Sequence, residues 1–135
     1  MRFLRRLSGI VVAGLLLAAL PAGTAQADVP PGYACAVTYA STGWGTGFQA
    51  DVTISNTGTR TFSPWILQFV FPGSQTLAAG WNGTFTATPP SVQVTGPSYH
   101  KSIDPGTSFG IGFNANGAND QPTSFTVNGV PCTVS

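Results

Sequence analysis

Apolar and polar positions alternate with a period of two along much of this chain. Phe48, Ala50, Val52 and Ile54 interleave with Gln49, Asp51, Thr53 and Ser55, the pattern of a strand with one buried and one wet face. Asn56-Thr57-Gly58 ends that strand. Trp65, Leu67, Phe69 and Phe71 interleave with Ile66, Gln68 and Val70, which predicts the most apolar strand, placed at the centre, before Pro72-Gly73 stops it. Shorter strands are expected around residues 83–88, 91–95, 107–113 and 124–127, and Asn128-Gly129 reads as a two-residue hairpin turn into residues 131–134. Beyond the first 27 residues no stretch has helical periodicity. Short strands at regular spacing, with Gly and Pro between them, predict an all-β fold, an antiparallel β-sandwich of two sheets.

The first residues follow another pattern. Arg2, Arg5 and Arg6 precede an apolar run over residues 10–20 and then Ala25-Gln26-Ala27, the three parts of a secretory signal peptide in order. Cleavage is expected after Ala27, the apolar run being shorter than the roughly 20 residues of a membrane span. The remaining 108 residues fit one domain. Residues 28–34, with Pro30-Pro31-Gly32, read as an extended lead-in and residues 35–135 as the folded module.

Export changes the reading of charge and cysteine. Past the leader, Arg60 and Lys101 stand against Asp28, Asp51, Asp104 and Asp120, a net charge of −2 that argues against a nucleic-acid partner. Charged residues make up 7% of the chain, where about 25% is usual, so Ser, Thr, Asn, Gln and Gly must keep the surface wet. Such a surface suits a neutral, hydroxyl-rich partner. Cys35 and Cys132, in an oxidising compartment, are expected to form one disulfide. Closing a loop of that size removes about 4.7 kcal/mol of unfolded-state entropy in the chain-entropy picture. With one histidine and no CxxC spacing, a metal site or other cofactor is not expected.

The aromatic residues then fall into two groups. Most phenylalanines, and Trp65, lie on apolar strand faces and belong to the core. Trp44 lies in Ser41-Thr42-Gly43-Trp44-Gly45-Thr46-Gly47, Trp81 in Ala79-Gly80-Trp81-Asn82-Gly83, and Tyr99 in Gly96-Pro97-Ser98-Tyr99-His100-Lys101. Glycines and small polar residues leave little to cover those rings, so all three are expected to be exposed. A sugar ring presents C–H groups on its two faces, which pack on an aromatic ring. If each platform hides on the order of 100 Å² of apolar surface, it contributes about 2 to 3 kcal/mol before ordering costs. Three rigidly spaced platforms act as linked sites.

An ordered set of residues resembles family 2 of the carbohydrate-binding modules, common on secreted bacterial cellulases, xylanases and chitinases. The set comprises Cys35, Trp44 with Gly47-Phe48, Ile54-Ser55-Asn56, the Trp-x-Leu-x-Phe-x-Phe strand from Trp65, and Trp81-Asn82. It continues through Ser102-Ile103 with Gly106, Phe113-Asn114, and Phe125-Thr126-Val127-Asn128-Gly129 before Cys132. The resemblance implies a sandwich of about nine strands, of jelly-roll or immunoglobulin-like form, with the cysteines bridged and three aromatics on one flat face. It assigns Trp44 and Trp81 to two surface tryptophans, Trp65 to the buried one, and Tyr99 to a third surface place where many members have Trp. A tyrosine there implies weaker binding. Asp51, where members often have Asn, and Asn114 become flanking candidates for hydrogen bonds. The xylan-binding branch usually lacks the third aromatic and has an arginine three residues after the first tryptophan. Here that residue is Gly47, so the resemblance implies cellulose, with chitin or xylan as alternatives.

Catalysis is poorly supplied. A glycosidase needs two carboxylates flanking the scissile bond, yet the chain has no Glu and its aspartates fall near the new N-terminus, on a strand and in turns. A copper-dependent polysaccharide oxidase needs an N-terminal histidine and a second one, whereas cleavage would leave Asp28 first and His100 alone. A serine triad through His100 is disfavoured, that residue reading as a rim beside a platform. The expectation is a secreted, monomeric, non-catalytic module that targets insoluble polysaccharide, alone or with a polysaccharide-degrading partner. A protein-interaction module is the alternative of another class.

Overall fold

The computed structural model describes residues 29–135, so the leader expected at residues 1–27 lies outside the described residues. Ten strands follow in order: β1 Cys35–Gly43, β2 Gly47–Asn56, β3 Ile66–Val70, β4 Thr76–Trp81, β5 Thr84–Thr88, β6 Ser91–Thr95, β7 Ser108–Asn116, β8 Phe125–Val127, β9 Val130–Pro131 and β10 Thr133–Val134. They form two five-stranded sheets, β10-β1-β2-β7-β4 and β5-β6-β3-β8-β9. The all-β sandwich follows from the alternation itself, because each strand's apolar half needs a second sheet to cover it. Phe48, Val52, Ile54 and Phe113 of the first sheet meet Leu67, Phe69, Val92, Val94 and Phe125 of the second, all buried. The rings of Phe69 and Phe113 stack across the interface at 5.6 Å. β3 occupies the middle of its sheet, as its run of apolar residues requires.

Cys35 and Cys132 are bonded. The bridge sets Cys132 beside β1, and the residues after it run along β1 as β10, with Ala36 opposite Thr133 and Val37 opposite Val134. This pair is parallel, a departure from the antiparallel pattern of the other pairs. It also splits the expected hairpin arm at residues 131–134, since β9 pairs with β8 in the second sheet and β10 with β1 in the first. The lead-in carries a turn at Pro31-Gly32. Gly32 takes φ +90°, and its carbonyl accepts bonds from the backbone N–H groups of Thr59 and Arg60, fastening the segment to the loop after β2. Asn56 holds the same loop from inside, donating to the carbonyls of Arg60 and Ile103 and accepting from Gly58 N–H.

β4 is an element that the sequence pattern does not reveal. Leu77 and Trp81 have the same parity, yet Leu77 packs towards the core while Trp81 is exposed. A bulge between Leu77 and Ala79 explains this: Leu77 opposes Ala115, but Ala79 opposes Asn114, and the extra residue reverses which side chains face out.

Candidate functional site

The outer face of the first sheet carries the chemistry. On β2 it presents Gly47, Gln49, Asp51, Thr53 and Ser55; on β7 the residues opposite them are Asn116, Asn114, Gly112, Gly110 and Ser108. The intervening positions, Phe48 through Ile54 on β2 and Ile111, Phe113 and Ala115 on β7, are buried. Two glycines on the wet face of β7 leave a strip with no side chains.

Trp81, the last residue of β4, stands opposite Gly112. A Cβ built on Gly112 would lie 2.4 to 2.5 Å from Nε1, Cε2 and Cζ2 of that indole, so the ring lies down on the bare backbone of its neighbour. The chain then leaves for the second sheet through Asn82, whose φ of 66° turns the corner and whose side-chain amide donates to the Gly110 carbonyl at 3.0 Å. Trp44 repeats the arrangement at the hairpin between β1 and β2. Its N–H donates to the Gly47 carbonyl at 2.9 Å across a turn in which Gly45 takes φ +96°. A Cβ on Gly47 would meet Cζ2 and Nε1 of Trp44 at 3.2 Å. Each tryptophan therefore packs on a glycine, and Trp44 is 57% and Trp81 37% exposed.

Tyr99 is 73% exposed and sits in a tight turn closed by a bond from His100 N–H to the Pro97 carbonyl. The turn is held from both sides: the His100 carbonyl accepts from Trp65 Nε1 at 2.9 Å, and the His100 imidazole stacks on Phe109 at 4.1 Å. His100 is thus a support beneath Tyr99, and Trp65, fully buried, braces the same turn from the core. Along β7 the three anchor points follow in order, the Tyr99 turn being tied to it through His100 and the core-facing Phe109. Trp44 lies at the Asn116 end, Trp81 at Gly112, and the Tyr99 turn at Phe109. At ~3.4 Å per residue the backbone anchors are about 14 and 10 Å apart.

Asp51 and Asn114 share this face. Asp51 is exposed beside Gly112, and Asn114 lies between Gln49 and Ala79, one row from each tryptophan. The Asn114 Oδ1 is buried without a hydrogen-bond partner among the described residues, an acceptor left unused between two indoles. Gly112, on which Trp81 packs, is a position of this face that sequence reasoning missed. Its signal was the Gly-x-Gly at positions 110–112, where the polar half of an alternating strand has no side chain. Gly110 differs, since a Cβ there would meet nothing within 4 Å.

Comparison with known proteins fits this geometry. Residues 35–132 match the family described as "Cellulose binding domain". The chain is 43% identical over 100 residues to Endoglucanase B of Cellulomonas fimi, covering 73% of this chain and 10% of that enzyme. It is 35% identical over 125 residues to Exoglucanase A of the same organism, covering 91% of this chain and 14% of that enzyme. The chain therefore spans a small fraction of the curated relatives it matches. Among solved structures, the chitin-binding domain of Chi18aC from Streptomyces coelicolor superposes with a TM-score of 0.62 at 31% identity, over 73% of this chain and 94% of that one. With the disulfide, the buried Trp65 and the outward tryptophans in place, the chain belongs to the cellulose-binding-domain family, family 2 of the carbohydrate-binding modules, whose members bind polysaccharide and are not themselves catalytic.

Proposed function

We propose that this protein adsorbs on insoluble β-1,4-linked polysaccharide, cellulose before chitin or xylan, by stacking Trp44, Trp81 and Tyr99 on separate, non-adjacent sugar faces. The carrying observation is that both tryptophans are exposed and each packs on a glycine of one side-chain-poor sheet face. A ring backed by glycine keeps its orientation without taking up height. The neutral side chains around it, Gln49, Asn114 and Thr53, match hydroxyls rather than charges. Asp51 beside Trp81 offers an acceptor. Stacking on the exposed faces contributes about 2 to 3 kcal/mol per ring before ordering costs.

Gly47 supports cellulose over xylan, because a long side chain at that position would have to displace the Trp44 ring that now covers it. The kinship with endoglucanase and chitin-binding domains supports flat, insoluble β-1,4 glycans as a class. The module acts outside the cell, as a monomer, and positions whatever hydrolytic activity accompanies it without contributing catalytic groups. Pull-down on microcrystalline cellulose, chitin and insoluble xylan tests this reading. Depletion from solution should be greatest on cellulose, and a protein left in the supernatant with all three would refute polysaccharide binding in favour of a protein partner.

A further inference from the structure

The opposite side of the sandwich carries a concave surface. A groove of about 410 Å³ crosses the outer face of the second sheet, lined by Gln68 and Val70 of β3, Thr86 and Thr88 of β5, Ser91 and Gln93 of β6, and Ser124 and Thr126 at β8. This volume falls within the range of pockets that hold small ligands. No charged residue lines it.

Register makes the lining orderly. Thr86 opposes Gln93, Gln93 opposes Gln68, and Gln68 opposes Thr126. One polar row therefore runs straight across four strands, perpendicular to them. Beside it Thr88 opposes Ser91, and Ser91 opposes Val70. Strands repeat every ~4.8 Å, close to the length of one extended β-1,4-linked sugar unit, so a chain laid along the row meets one polar side chain per residue. The row keeps hydrogen-bonding capacity in reserve. Gln68 Nε2 donates to Gln93 Oε1 at 3.3 Å, which commits one group of each amide and leaves the Gln68 carbonyl oxygen and the Gln93 amide nitrogen for a ligand. Val70, 52% exposed, gives the groove an apolar patch for the C–H face of a sugar.

From this we infer that the second sheet binds a single, loose β-1,4-glucan chain, laid across β5, β6, β3 and β8 on the Thr86-Gln93-Gln68-Thr126 row. The concave shape excludes a crystal surface and admits a separate chain; the uncharged lining selects a neutral one. Phe69, which also borders the groove, is buried in the core, so hydrogen bonds and Val70 carry the recognition, and binding is weak and readily reversed. A module gripping crystalline polymer on one face and a free chain on the other would hold the two together at a frayed surface. The groove uses none of Trp44, Trp81 or Tyr99, so it stands independently of the aromatic face.

The test is a titration of the ¹⁵N-labelled protein with cellohexaose, followed by NMR. Saturable shifts of the Gln68 and Gln93 side-chain amides are expected, persisting in the Trp44→Ala/Trp81→Ala variant and lost at Thr86 and Thr126 in Gln68→Ala/Gln93→Ala. Indole N–H shifts of Trp44 and Trp81 report the other face separately. Glutamine amides that stay fixed at the solubility limit of the sugar overturn the inference, whether or not the indoles move. So do shifts that disappear with the two tryptophans, or that track protein concentration without sugar, which would mark the groove as a contact between copies. Adsorption to insoluble cellulose is unaffected by any of these outcomes and judges the aromatic face alone.

Discussion

Gly112→Ala places one methyl group under Trp81 and changes little else. The added Cβ would stand 2.4 to 2.5 Å from three indole atoms, where ordinary contact begins at 3.4 Å. The ring must therefore rise or tilt by about 1 Å. A flat polymer resting on Trp81 would then stand off the neighbouring platforms by a similar gap, and a gap of 0.5–1 Å forfeits about a quarter to a half of the dispersion attraction. Applied to about 2 to 3 kcal/mol at each of two neighbouring rings, the loss is about 1 to 3 kcal/mol, which is roughly a five- to hundredfold weaker adsorption. Gly110→Ala is the matched control: same strand, same face, two residues away, with nothing within 4 Å of its new methyl. Both substitutions replace a strand glycine and gain about 0.5–1 kcal/mol in backbone entropy, so melting temperatures should change little or rise for Gly110→Ala. Depletion isotherms on microcrystalline cellulose, with thermal melts alongside, read the outcome. Equal adsorption by Gly112→Ala and Gly110→Ala would refute the argument that a glycine-backed, level indole sets the affinity.

Other substitutions separate support from contact. Trp65→Ala removes a fully buried ring and the Nε1 bond to the His100 carbonyl; it should cost about 3 to 5 kcal/mol in chemical denaturation and release the Tyr99 turn. Gly47→Arg brings a Cβ to 2.6 Å from the Ala115 carbonyl and 3.2 Å from the Trp44 ring; it should lower the melting temperature, displace that ring and shift the relative adsorption of the folded protein from cellulose towards xylan. Tyr39 is buried, its hydroxyl lacks a partner among the described residues, and burial pushes its pKa from 10.0 up to about 12. The unfolded chain ionises first, so the folded state loses stability as pH rises from about 10 to 12, by on the order of 2 kcal/mol, and keeps it below pH 10. Tyr39→Phe should remove that alkaline loss and leave stability near pH 7 unchanged or slightly raised, measured by denaturant titration across pH.

Period-two patterning made the sandwich legible where one strand face is wholly apolar. β2 and β3 stand where the alternation of residues 48–54 and 65–71 put them, and β6 has the expected bounds because Pro90 and Gly96 flank it. The exposed state of Trp44, Trp81 and Tyr99 and the burial of Trp65 were readable from their neighbours, since glycines cannot cover a ring. β4 was not readable. Its bulge reverses the facing of Leu77 and Trp81 within one strand, so no single period describes it. The Gly32 turn was also hidden, because its partners, Thr59 and Arg60, lie far along the chain. Nor does a sequence show what a glycine supports. Gly110 and Gly112 look alike on paper, yet only the second has an indole lying on it.

The central claim is that the aromatic face, rather than the weakly binding groove of the second sheet, carries the adsorption to insoluble polysaccharide, and the triple variant Trp44→Ala/Trp81→Ala/Tyr99→Ala tests it most directly. Trp65 then remains as the single tryptophan, fully buried, and its fluorescence reports whether the fold is intact in the very sample applied to cellulose. Adsorption isotherms on microcrystalline cellulose should fall to background while Trp65 keeps a buried, blue-shifted emission. Adsorption that survives with the fold intact would contradict the account and move the binding surface elsewhere on the sandwich.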